Sequence, residues 1–189
     1  MSKTKTNEVV TPEFIVNFPR LFDKGTKGPD EGKYSIMMMF SMQTDISAIK
    51  NVVQEAAKEK WGGNIPADLR TPWKNGNTTN LEEAKDKILI RSWSKHKPGV
   101  IDSEGNEIEA FDKDNIYSGS IGKAIIRAYA YDKNIEKSIF QPGVVLMLEH
   151  YMFVKDGKKL STGGKSSARA AFGFEEKKET QTNNDDLFS

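Results

Sequence analysis

Two short stretches carry residue types that could hold a polyanion bearing flat rings. In IGKAIIRAYAYD (Ile121 to Asp132), a strand would set Lys123, Ile125, Arg127, Tyr129 and Tyr131 on one side, because successive strand side chains alternate faces. Its other side holds Ala124, Ile126, Ala128 and Ala130, small apolar groups suited to close packing. In KILIRSWSKHK (Lys87 to Lys97), the same alternation sets Lys87, Leu89, Arg91, Trp93, Lys95 and Lys97 against Ile88, Ile90, Ser92 and Ser94. Cations neutralise phosphates, and aromatic rings give every base a stacking surface whatever its identity. One such face is ordinary on a half-exposed strand. Two independent ones point to single-stranded nucleic acid.

Three further groups extend the pattern. DKGTKGPDEGK is a Gly/Pro/charge turn whose Lys24, Lys27 and Lys33 can reach phosphates. In GVVLMLEHYMFVKDGK (Gly143 to Lys158), a long strand and turn, Val144, Leu146 and Leu148 read as core. Tyr151, Phe153 and Lys155 have the opposite parity and are expected to add a third aromatic and basic row. The long insertion from Asn64 to Asp86 reads as irregular, and insertions of that length are often functional. Within it Arg70, Trp73 and Lys74 interleave an aromatic with two cations; Trp73 reads equally as a clamp on a strand or as a residue folded back onto the core.

Other chemistries find little support. With no cysteine there are no disulfides and no thiolate chemistry, which suits a reducing cytosol. Only His96 and His150 are available, and no zinc-ligand spacing includes them. GGKSS (Gly163 to Ser167) lacks the upstream glycine of a phosphate loop, since Lys159 occupies that position. The acids between Asp102 and Asp114 lack the ladder of a calcium loop and read as a solvated hairpin with Gly105 at a left-handed position. The expectation is a protein without catalytic activity, metal or cofactor.

The elements that must position these faces are mostly strands. PEFIVNFPRLF (Pro12 to Phe22) reads as a first strand ending near Pro19, after a disordered or adaptable stretch over residues 1–10. KYSIMMMFSM (Lys33 to Met42) is a nearly continuous apolar run, a strand buried on both faces, with its methionines as core filler. Thr44 or Asp45 can cap one helix with Ile46, Ile49, Val53 and Ala56 on a single side, stopped by Gly62 and Gly63 after Trp61. KLSTGGKSSARAAFGF, with Lys165 and Arg169, closes the body at Phe174. No run of about 18 apolar residues and no signal peptide is expected from this sequence.

The net charge of +1 conceals an asymmetry: residues 175–189 hold five acids against two lysines, so residues 1–174 carry +4. The end, EEKKETQTNNDDLFS, cannot build a core and is expected to be disordered. Its Asp185, Asp186, Leu187 and Phe188 combine negative charge with a stackable ring. That suits either competition for a basic groove or docking on another protein.

VTPEFIVNFPRLF, the helix ending AAKEKWGG, NIYSGSIGKAIIRAYAYD, the late strand with KDGKKL, and the acidic end closing on an aromatic occur in a telling order. On these the chain resembles the phage-type single-stranded DNA-binding proteins with an OB fold, over most of residues 9–174. The resemblance implies a five-stranded β-barrel with inserted loops, binding of single-stranded DNA without sequence preference, and a tail that recruits replication proteins. Here Ser189 follows Phe188, so the aromatic is penultimate.

The expectation is therefore a mainly β chain: an OB-fold barrel with one packed helix and long loops over residues 1–174, then an acidic disordered tail over 175–189. Phosphates would track past Lys33, Arg91, Lys95, Lys123, Arg127 and Lys155, and bases would stack on Trp93, Tyr129, Tyr131 and Phe153. Implied partners are single-stranded DNA and, through the tail, a polymerase, helicase/primase or nuclease of replication, recombination or repair. A homodimer is left open, no membrane is implied, and a phage-encoded chain would work in the host cytoplasm. The competing reading is a virion or assembly protein using the aromatic faces as a protein interface.

Overall fold

A computed structural model describes residues 7–132 and 141–160 of the chain. Its strands are β1 (Glu8–Val10), β2 (Phe14–Arg20), β3 (Tyr34–Ser41), β4 (Trp73–Asn75), β5 (Lys87–Ser94), β6 (Gly99–Ile101), β7 (Ile121–Tyr131) and β8 (Gly143–Lys155). One α-helix, α1 (Ser47–Trp61), lies between β3 and β4. Five strands close into a ring: β2 pairs β3, β3 pairs β5, β5 pairs β8, β8 pairs β7 and β7 pairs β2. All of these pairings are antiparallel except β5–β8. β1, β4 and β6 attach outside the ring on β7, β5 and β8. The sequence expectation of a five-stranded barrel with one helix holds.

The inside of the ring and the helix share one core. Phe14, Val16, Ile36, Met38, Phe40, Ile90, Ile126, Leu146 and Leu148 point inward, and α1 adds Ile49, Val52, Val53, Ala56 and Ala57. Burying a side chain of this size contributes about 1.5–3 kcal/mol. Phe14 packs edge-on against Phe40 at 5.6 Å between ring centres. The helix leans chiefly on β7. Its first turn is tied by the Asp45 carboxylate, which accepts from the Ser47 amide at 2.9 Å, and it ends at Gly62, where φ is 59°. β3 is covered on both faces, as its apolar run predicts: Met37 and Met39 face a second cluster formed with Leu81, Ala84 and Leu89.

Three expectations are corrected. Residues 8–10 are not adaptable; they form β1, with Glu8 opposite Arg127 and Val10 opposite Ile125. The insertion from 64 to 86 is not wholly irregular: β4 adds to β5 at Trp73↔Ile90 and Asn75↔Ile88. Tyr151 and Phe153 do not extend an outer aromatic row. The register passes from Ile126↔Leu148 to Ile125↔His150, leaving Glu149 as an extra residue. Such a bulge reverses which parity faces inward. Tyr151 is 1% exposed in the core and Phe153 packs against it. Gly122 is what admits the Tyr151 ring, since a Cβ there would lie 2.4 Å from its hydroxyl. Burial pushes the Tyr151 phenol well above its ordinary pKa.

The hairpin reading for 102–106 holds. Asp102 accepts from the amides of Glu104 and Asn106 at 2.9 Å each, and Gly105 has φ 89°. The Asn106 side-chain and backbone hydrogen bonds hold the Asp102 carboxyl below its usual range. Among the described residues no helix is long and apolar enough to cross a membrane.

Candidate nucleic-acid interface

A groove of about 800 Å³ runs across the outer face of β5, β8 and β7. Strand register assembles it. Trp93 of β5 lies beside Met147 of β8, which is paired with Arg127 of β7. Tyr129 is paired with Val145 and Tyr131 with Gly143, while Arg91 is opposite Met37 of β3. One wall comes from the 64–86 insertion, with Arg70, Pro72, Lys74, Thr79 and Leu81. The facing edge is the turn before β3, with Pro29 and Lys33, and Lys95 and His96 follow β5 along the rim.

The lining includes Lys33, Arg70, Lys74, Arg91, Lys95 and Arg127, three aromatics (Trp93, Tyr129, Tyr131), and no carboxylate. Tyr129 is 60% exposed, an unusual state for so large a ring and one suited to stacking. The Lys33 ammonium sits 4.5 Å from the centre of the Trp93 ring. Carboxylates stand beside two of the cations instead. Glu149, the bulge residue, accepts from both Nε and Nη2 of Arg127 at 2.8 Å. Arg91 pairs with Asp30 and donates to the Pro29 carbonyl at 3.0 Å. Burial lowers the Arg91 pKa.

Of the residues expected from sequence, Lys33, Arg91, Trp93, Lys95, Arg127, Tyr129 and Tyr131 are brought together here, with Arg70 and Lys74 from the insertion. Four others are not. Trp73 folds back onto the core. Phe153 packs there too, for the parity reason given above. Lys123 and Lys155 lie at the other end of the β7–β8 ribbon, each 3.9 Å from Glu13. Asp185, Asp186, Leu187 and Phe188, like Lys165 and Arg169, fall outside the described residues.

The groove also has an apolar floor of Met37, Leu89, Val145 and Met147; alternation named only Leu89 on this face, and parity could also have found Val145 and Met147, since Val144, Leu146 and Leu148 point inward. Among the described residues no three His, Asp or Glu come close enough together to hold a metal.

A five-stranded mixed barrel closed in this order is consistent with the OB fold. A family model described as "Enterobacter phage Enc34, ssDNA-binding protein" matches residues 7–187, and the chain belongs to this family of phage single-stranded DNA-binding proteins. The fold is similar to the solved single-stranded DNA-binding protein from bacteriophage Enc34, with a TM-score of 0.67 and 21% identity over 88% of this chain and 91% of that one. The same phage protein in complex with ssDNA gives 0.66 and 20% over 83% and 91%. Gp2.5, a single-stranded DNA-binding protein encoded by bacteriophage T7, gives 0.58 and 14% over 88% and 100%. No curated protein sequence matches the chain.

Proposed function

We propose that the chain binds single-stranded DNA in this groove without sequence preference and protects it during phage DNA replication, recombination or repair. The observation that carries the reading is the lining itself: cations and aromatic rings from separate strands meet with no carboxylate among them. Phosphates run past Lys33, Arg70, Lys74 and Lys95, and bases stack on Trp93, Tyr129 and Tyr131. Every base has a π face, so stacking gives affinity without readout. A related phage protein has been solved in complex with ssDNA, which supports the same ligand here.

Residues 1–174 form the binding domain in this proposal, and 175–189, five acids with Leu187 and Phe188, recruit replication proteins. Titration of fluorescent oligo(dT) against the full chain and a chain lacking 175–189, across salt concentrations, tests both parts. Log affinity should fall against log salt with a slope of about −0.7 per phosphate contact. Removing the acidic segment should tighten binding at low salt and abolish pull-down of a replication protein. A chain with no salt-dependent affinity would favour the assembly-interface reading instead.

A further inference from the structure

Arg91 has the residue type and position of a phosphate contact, yet its local bonds point elsewhere. It projects from β5 on the same face as Trp93, two residues on. Its guanidinium is paired with Asp30 and donates to the Pro29 carbonyl at 3.0 Å. Both acceptors belong to a small closed lobe. The Gly25 amide donates to the Lys33 carbonyl at 3.0 Å, Gly32 to the Gly25 carbonyl at 2.9 Å, and Lys33 to the Asp30 carbonyl at 3.0 Å. Gly25 is needed where the lobe closes on itself, since a Cβ there would lie 2.3 Å from the Asp30 carbonyl oxygen. The last residue of the lobe, Lys33, holds its ammonium over the Trp93 ring.

We infer that Arg91 is a positioning residue: it fixes the 25–33 lobe as one edge of the groove and thereby sets Lys33 over Trp93, while Asp30 keeps its charge from reaching a phosphate. The inference rests on the groove being the DNA site. It separates two kinds of cation there. Lys33 meets the ligand, whereas Arg91 acts through Lys33. Both contacts come from one nitrogen, Nη2, which holds a carboxylate and a neighbouring carbonyl of the lobe together.

The test uses the full chain and the Arg91→Gln, Asp30→Asn and Lys33→Ala variants. With oligo(dT), Arg91→Gln should weaken binding severalfold while leaving the salt slope at its original value. A slope shallower by about 0.7 would make Arg91 a phosphate contact and overturn the inference. Asp30→Asn should steepen the slope by about 0.7, because the released guanidinium gains a phosphate; an unchanged slope counts against the role given to Asp30. In a double-mutant cycle, Lys33→Ala should lose most of its effect in the Arg91→Gln background, and strict additivity would deny that Arg91 works through Lys33. Hydrogen exchange supplies a readout that needs no DNA: amides of residues 25–33 should exchange at least tenfold faster in Arg91→Gln with the rest of the barrel unchanged. Equal exchange would refute the strut. Should the unaltered chain fail to bind oligo(dT), the groove's function falls, and the exchange result still decides the strut.

Discussion

The β7–β8 ribbon has two halves that share strands but not roles. On one side of Glu149 the outward positions are Arg127, Tyr129 and Tyr131 facing Met147 and Val145, and they form the floor of the groove. On the other side Tyr151 turns into the core, Ile125 pairs with His150, and Lys123 approaches Glu13. The residue types alternate in much the same way along both halves. What differs is one residue inserted in β8, which turns Tyr151 and Phe153 inward while β7 keeps its alternation. That residue also supplies the carboxylate that orients Arg127. A backbone irregularity thus marks the end of the binding face and fixes its first cation.

Experiments can break this contrast or sharpen it. Deleting Glu149 should have the largest effect. The ladder beyond it would shift by one residue, swing Tyr151 toward solvent, and abolish cooperative thermal unfolding, because a typical domain has only about 5–15 kcal/mol to lose. A deletion variant that melts within a few degrees of the parent would mean that the bulge does not set the parity. Next, Trp93→Ala combined with Tyr129→Ala should weaken oligo(dT) binding at least about tenfold with the melting temperature nearly unchanged, since each stacked base is worth about 1–3 kcal/mol. An unaltered affinity in the folded double variant would remove the rings from the site.

A direct comparison of the halves follows. Phe153→Ala should lower stability by about 1–3 kcal/mol, less than the full deletion of a core ring because it is only partly buried, and leave affinity within about twofold, judged against the folded fraction. Tyr129→Ala should do the reverse, losing affinity with little change in denaturant midpoint. The smallest effect concerns charge. Lys74→Gln should make the salt slope shallower by about 0.7, whereas Lys123→Gln or Lys155→Gln should leave it unchanged. Equal slopes for all three would show that the trough does not confine the phosphates.

Much of this arrangement was legible in the residues. Alternation alone put Arg127 and Tyr129 with Trp93 and Arg91 on outward faces, and the unbroken apolar run of β3 announced a strand covered on both sides. Closure into a five-stranded barrel came only through family likeness, and the strand order only from the structure, because pairing between β5 and β8 depends on contacts more than fifty residues apart. Local periodicity carries no such information. Phe153 failed for a related reason: period-two counting presumes an uninterrupted ladder, and nothing in LEHYMF advertises an extra residue at Glu149. Trp73 could be read either way until β4 was seen to pair with β5, which turns the ring toward the core. The pairing of Arg91 with Asp30 was hidden because the two lie sixty-one positions apart, on a turn whose lysines drew more notice than its acid.

One edge of β5 is divided between two neighbours: β4 takes Ile88 to Ile90 and β8 takes Ser92 and Trp93. The insertion that walls the groove is therefore laced by backbone hydrogen bonds to the very strand that presents Trp93. At β4, wall and floor share one hydrogen-bonded ladder. No closing step need intervene between encounter and capture, so DNA should load at a rate governed by diffusion and electrostatic attraction, and release should be governed by how fast the stacked rings let go.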